Sequence, residues 1–173
     1  MSDLYDKELF PSLDHPDLIE VGVGDLAVAQ HPKFLMTPAL GSCVGVGLWD
    51  VALKQGGLAH IMLPVPVENS SQGKLERFAS YAVPELVDLL VESGSPRRRL
   101  VAKIAGGAAM FRGDSTLASI GDRNVNEVKN QLRLLNIPLI AEDTGERHAR
   151  TIEFYLDTGR FAVRSYLYGV KNL

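Results

Sequence analysis

Apolar positions along the chain follow two periods. Short stretches that alternate, or run apolar between glycine and proline, occupy residues 18–24, 26–29, 34–37, 43–50 and 58–63, and each predicts a strand. From 74 to 92 the period changes. Val83, Leu86, Val87 and Leu90 fall at i, i+3, i+4 and i+7, the stripe of an amphipathic helix. Pro84 interrupts it, so either the helix kinks or a second helix starts with Pro84 in its first turn, where no amide hydrogen is needed. Gly94 reads as the C-cap and Pro96 as the stop.

A strand over 100–105 then runs into Gly106-Gly-Ala-Ala-Met-Phe111. Val125, Val128, Leu132 and Leu135 form a second helical stripe, with Asp122 or Asn124 as N-cap and Asn136-Ile-Pro138 closing it. Residues 139–142, 151–156 and 161–167 read as strands, the last two joined by the turn Asp157-Thr-Gly-Arg160. In the connection over 51–57, Gly56 and Gly57 can supply positive φ. Gly45 and Gly47 alternate along their strand, where another backbone or a substrate could approach closely. Many strands with two main helices predict an α+β domain, mostly antiparallel, with its helices packed on one face. Residues 1–17, with several acids, Pro11 and Pro16, predict a loosely held N-terminal arm, and 18–173 a single domain.

Composition narrows the function classes. The 173 residues suit one domain, and a net charge of −3 gives no electrostatic footprint for nucleic acid or anionic lipid. No apolar run approaches the ~20 residues needed to span a bilayer, and the acidic start lacks the order of a signal peptide. A single cysteine makes no internal disulfide. The expectation is a cytoplasmic protein without direct membrane insertion. Arg97-Arg98-Arg99 reads as a solvated edge.

Candidate chemistry centres on that one cysteine, Cys43, and on His60, which fall on consecutive strands. A thiol and an imidazole on neighbouring strands can act as nucleophile and base. A lone intracellular cysteine is more often a small buried hydrophobe, and residue type alone favours that. Cys43 and His60 lack the paired short spacings of a zinc site, and His15, His31 and His148 stand alone in polar contexts, so no metal is expected. The glycine turn at 106–107 lacks the lysine and hydroxyl of a phosphate loop, and no cofactor is expected. Gly41-Ser42-Cys43 is not the elbow of a serine hydrolase, but Gly41 and Ser42 permit a tight approach, with backbone N–H groups there supporting an oxyanion. Thr37 could hold the imidazole in one tautomer, or be an ordinary β-branched strand residue.

The ordered set Val21-Gly-Val-Gly24, Leu40-Gly-Ser-Cys-Val44, Gly56-Gly57 with His60-Ile-Met-Leu-Pro64, Lys103-Ile-Ala-Gly-Gly-Ala-Ala-Met-Phe111, Ile120-Gly-Asp-Arg-Asn124 and Ile140-Ala-Glu-Asp143 resembles the CheD family, the chemoreceptor glutamine deamidases of bacterial and archaeal chemotaxis. The resemblance runs from about residue 19 to 163. It implies a layered α/β sandwich similar to the catalytic domain of cytotoxic necrotizing factor toxins. It also implies hydrolysis of glutamine side chains on the cytoplasmic helices of methyl-accepting chemotaxis receptors, releasing ammonia and leaving glutamate. Some members also cleave receptor methyl esters. The family's Thr, Cys and His positions fall on Thr37, Cys43 and His60, and the implied path runs through a cysteine thioester.

The resemblance leaves a second role open, as binding partner and activator of a CheC-type response-regulator phosphatase. Two departures from the family pattern stand out: Ala149 at an apparent glycine position, and Pro38-Ala39 where leucine and glycine are usual. The second lies beside Thr37 and bears on how that residue meets His60. The glycine-rich strand from Val44 and the loop over 68–73 are the expected walls of a shallow substrate groove.

Overall fold

A computed structural model describes residues 13–68, 73–110 and 115–173, with the backbone alone over 115–119. Strands β1 (Leu18–Glu20), β2 (Leu26–Gln30), β3 (Phe34–Leu40), β4 (Val44–Asp50) and β5 (Gln55–Ile61) come first, followed by α1 (Ala79–Glu92). Then come β6 (Val101–Gly106), α2 (Ser115–Leu134), β7 (Leu139–Thr144), β8 (Arg150–Tyr155), β9 (Phe161–Ser165) and β10 (Gly169–Asn172). They form two sheets of five, in the orders β1-β3-β8-β9-β10 and β2-β5-β4-β6-β7. Each has one parallel pair at an edge, β1 with β3 and β6 with β7, and its other pairs are antiparallel. The α+β expectation with mostly antiparallel sheets and two main helices holds.

Side-chain alternation on β4 sets the layers. Val44, Val46 and Leu48 share a core with Val83, Leu86, Val87 and Leu90 of α1 and with Val125, Val128 and Leu132 of α2. The opposite face meets a second core built from Leu35, Leu40, Ile152, Phe154, Phe161 and Val163. The order is therefore helices, second sheet, first sheet. Gly45 and Gly47 make the two sheets fit. A Cβ at Gly45 would run into Ile152 and Leu40, and one at Gly47 into Phe161 and Phe154. Those glycine positions are filled by the facing sheet, so β4 is not the wall of a substrate groove. Most of the other expected wall, residues 69–72, lies outside the described residues, as do residues 1–12 of the expected arm.

Several local expectations change. The β4–β5 turn is residues 51–54, with Lys54 at φ 49°, and Gly56 and Gly57 lie inside β5. A Cβ at Gly56 would stand 2.6 Å from the Leu48 carbonyl oxygen, and one at Gly57 2.6 Å from Leu86. The glycines serve packing, not the turn. The strands predicted over 18–24 and 26–29 belong to different sheets, and the bend through Gly24 (φ 73°) carries the chain between them.

Helix α1 is a single helix with Pro84 inside it. It ends as expected: Gly94 takes φ 103°, its N–H bonds Val91 O, and Ser95 N–H bonds Leu90 O. Helix α2 begins at Ser115, so Asp122 and Asn124 lie within the helix rather than capping it. Both are favoured capping types, which is why they read as a helix start. Arg99 departs from the solvated edge. Its Nε and Nη2 donate to the fully buried Asp50 carboxylate at 3.0 and 2.6 Å, while Arg97 and Arg98 are exposed. Burial pushes Asp50 up, but the bonds from Arg99 help take it below the usual carboxylate range. Among the described residues no helix is long and apolar enough to cross a membrane.

Candidate active site

The two sheets bring Thr37 of β3 against His60 of β5, both with 0% exposure. Thr37 Oγ1 lies 2.6 Å from the Val21 carbonyl oxygen and 2.7 Å from His60 Nδ1. The hydroxyl has one hydrogen and a carbonyl only accepts, so Thr37 donates to Val21 and accepts from the His60 Nδ1–H. That leaves the lone pair on Nε2, which has no hydrogen-bond partner among the described residues. Burial takes the His60 pKa down to about 4, against an opposing pull from the Asp25 charge. The ring is neutral at neutral pH. Its strand is pinned by His60 N–H to Asp25 O and Gly24 N–H to His60 O, both 3.0 Å.

Pro38 does not end β3. The strand passes through a bulge in which Ala39 takes φ 57° and the register with β8 shifts between Thr37 and Leu40. The irregularity follows Thr37, whose pairing with Ile152 stays regular. The departure at Pro38-Ala39 is thus absorbed without displacing the hydroxyl from the imidazole.

Cys43 sits just before β4. Gly45 stands directly opposite His60 and faces the first sheet, as does Cys43 two residues earlier, which packs on the inter-sheet core. Cys43 and His60 are therefore diagonal neighbours on one face, a relation with backbones about 7–8 Å apart. Nε2 makes no hydrogen bond to the thiol in this arrangement, and such contacts commonly tighten only around bound substrate. Burial pushes the Cys43 thiol up, and its own backbone N–H pulls it partly back. The resting pair is a neutral thiol beside a neutral imidazole.

The loop that carries Cys43 is gripped from two sides. Gly107 N–H donates to Cys43 O and Ala108 N–H to Gly41 O, each 2.8 Å. Gly106 takes φ 113°, and a Cβ there would run into the Cys43 carbonyl. From α2, the fully buried Asn124 donates through Nδ2 to Ser42 O at 3.0 Å and Met62 O at 2.9 Å. Gly41 and Ser42 thus lie immediately before the thiol, partly exposed, with both carbonyls held. Met110, 44% exposed, packs beside Gly41, and the partly exposed Met62 follows the histidine strand.

Thr37 and His60 are brought into contact, Cys43 onto the same face, and Gly41 and Ser42 beside it. Sequence reasoning missed Asn124 as a clamp and the glycine turn as the cradle of the cysteine loop. A signal was there: a glycine and an asparagine three residues apart beside a helical stripe. His15 and His31 are exposed. His148 is half-buried, its ring 4.7 Å from that of Tyr168. Among the described residues no three His, Cys, Asp or Glu side chains converge as a metal site requires. A depression of about 330 Å³ lined by His15, His31, Phe34 and Tyr155 includes none of the candidate residues.

Residues 62–165 match the family model described as CheD chemotactic sensory transduction. The chain is 42% identical over 158 residues to the "Probable chemoreceptor glutamine deamidase CheD" of Caldanaerobacter subterraneus, covering 90% of this chain and 98% of that one. The chain belongs to the CheD family. Two further CheD relatives are the chemoreceptor glutamine deamidases of Bacillus subtilis, 40% identical over 90% of this chain and 96% of its own, and of Halalkalibacterium halodurans, 44% identical over 91% and 99%. Among solved structures, the hypothetical protein YfiH of Bacillus licheniformis is similar with TM-score 0.47 and 16% identity, over 69% of this chain and 50% of that one, a likeness too distant to inform the chemistry. The segment matched by the family model begins after Thr37, Cys43 and His60.

Proposed function

We propose that this chain deamidates glutamine side chains on the cytoplasmic helices of methyl-accepting chemotaxis receptors, with Cys43 as nucleophile, His60 as acid–base and Thr37 as its orienting partner. The observation that carries the reading is the Thr37–His60 hydrogen bond, which leaves Nε2 basic and unengaged on the face that bears Cys43. The curated CheD relatives named as chemoreceptor glutamine deamidases supply the substrate class.

In the first half-reaction His60 Nε2 takes the thiol proton as the sulfur adds to the glutamine Cδ. The amide oxygen becomes an oxyanion facing the backbone N–H groups at Ser42–Cys43. The tetrahedral species collapses, the C–N bond breaks, and the imidazolium proton goes to the leaving nitrogen, which departs as ammonia. A thioester remains. Water then adds to it with its proton passing to Nε2, the C–S bond breaks, and the thiolate recovers that proton. The net change is glutamine plus water to glutamate plus ammonia. The low basicity that burial gives His60 makes its imidazolium a strong acid toward the leaving nitrogen.

The test is to incubate the chain with a receptor cytoplasmic fragment and follow glutamine-to-glutamate conversion by peptide mass. Conversion by wild type and none by Cys43→Ala is expected. Equal conversion by Cys43→Ala would sink the assignment. No conversion by wild type, with retention of a CheC-type phosphatase in a pull-down, would replace catalysis with the binding role.

A further inference from the structure

Asn124 is an anomaly in α2. Asparagine is a poor residue for a helix interior, yet here it is completely buried, next in sequence to Val125 of the helix–sheet core. Both Nδ2 hydrogens are committed, one to Ser42 O and one to Met62 O, while Oδ1 has no hydrogen-bond partner among the described residues. The donor pattern fixes which way the amide points. The two acceptors belong to the segment entering the nucleophile and to the segment leaving the His60 strand. One planar NH2 thus holds them about 5 Å apart.

The short side chain reaches them because the helix lies very close. A Cβ at Gly121, one turn earlier on the same face, would stand 2.5 Å from Gly107 O and 2.7 Å from Ala108 O. Gly121 lets α2 press on the same turn whose amides hold Cys43 and Gly41. Ser42 O and the Cys43 N–H belong to one trans peptide group and point in opposite directions. Fixing the carbonyl on the helix side fixes the N–H on the other, and a donor on the carbonyl also polarises that N–H. The Cys43 N–H lowers the pKa of that residue's own thiol, against the larger effect of burial.

We propose that Asn124 is a positioning residue that aims and polarises the Cys43 N–H as an oxyanion donor by holding the carbonyl of the same peptide group. The oxyanion role rests on the deamidase reading above. The orientation of the N–H does not.

Two variants test it. Asn124→Leu keeps the heavy-atom branching and removes both donors. Asn124→Asp keeps the shape and supplies at most one. Each is measured for folded fraction by circular dichroism, for kcat and KM on a receptor fragment, and for the pH profile of Cys43 alkylation by iodoacetamide, a reaction that develops no oxyanion. The expectation is a kcat per folded molecule lower by about 10- to 100-fold with KM within about threefold, larger for Asn124→Leu. The alkylation midpoint moves to higher pH, because the N–H that favours the thiolate is no longer held. A purely structural Asn124 would lower the folded fraction and leave both other readouts in place. Either a kcat per folded molecule within about twofold of wild type or an unmoved alkylation midpoint overturns the proposal. If wild type itself converts no glutamine, the deamidase reading fails, and the midpoint alone decides whether Asn124 orients the Cys43 peptide. Should Asn124→Leu not fold, Asn124→Asp carries the same criteria.

Discussion

Thr37 and His60 come from different sheets and meet through one 2.7 Å hydrogen bond in which the hydroxyl is the acceptor. The direction is set by Val21, whose carbonyl takes the hydroxyl hydrogen at 2.6 Å. A backbone oxygen 39 positions from the histidine thereby decides which ring nitrogen is basic.

Thr37→Val keeps the side-chain volume and removes that acceptor. It lowers kcat for deamidation by about 10- to 100-fold, because the ring loses its fixed tautomer and orientation. The orphaned Nδ1–H and Val21 carbonyl also cost roughly 1–3 kcal/mol in a urea unfolding curve. Thr37→Ser retains the hydroxyl and most of the activity. A Thr37→Val enzyme with wild-type kcat would remove Thr37 from the mechanism.

His60 makes stability depend on pH. Its folded pKa of about 4 lies below the ordinary value of 6.5, so between these pH values the unfolded chain binds more protons than the native one. Stability is complete above pH 6.5 and falls as pH drops toward 4, by about 2 kcal/mol between pH 7 and pH 5. Unfolding midpoints of wild type and His60→Gln over that window provide the check. An equal slope in the two proteins would show that other groups carry the dependence.

Cys43 is expected to react slowly with iodoacetamide at neutral pH, with an alkylation midpoint above the ordinary thiol value, because burial outweighs the help of its backbone N–H. Cys43→Ser should fold as wild type and lose at least about 10³-fold in kcat, since the neutral imidazole activates an alcohol poorly. A midpoint well below the ordinary thiol value would instead indicate a preformed thiolate–imidazolium pair.

Gly45→Ala and Gly47→Ala probe the sheet interface. The new methyl groups would meet Ile152 and Leu40, or Phe161 and Phe154. Each change should destabilise by about 1–3 kcal/mol through overpacking. Gly45→Ala should also lower activity, because its Cβ would stand 3.5 Å from the Thr37 methyl. Wild-type stability in both would mean that the sheets have room to spare.

Strand and helix identity was legible where one period ran uninterrupted. Val83, Leu86, Val87 and Leu90 and the alternation of Val44, Val46 and Leu48 each report one buried face, and burial is what creates the pattern. The start of α2 was not legible, because Gly121 and Asn124 look like a boundary when read locally. Their reason for lying inside the helix is the contact with Gly107, Ala108, Ser42 and Met62. For the same reason Gly56 and Gly57 imitated a turn, although what requires them is Leu48, Leu156 and Leu86 pressing from both faces of β5.

By itself the sequence placed Cys43 and His60 on consecutive strands, most simply a hairpin, while the register that sets them diagonally on one face follows from a turn at 51–54 that Gly56 and Gly57 disguised. It also marked Thr37 through the family resemblance. Only the tertiary structure decided that β3, in the other sheet, brings the Thr37 hydroxyl onto Nδ1, that Val21 orients it, and that Asn124 clamps the loop before the thiol. Those relations join segments far apart in the chain through single hydrogen bonds, and a local pattern records which face a residue occupies but not which partner waits there.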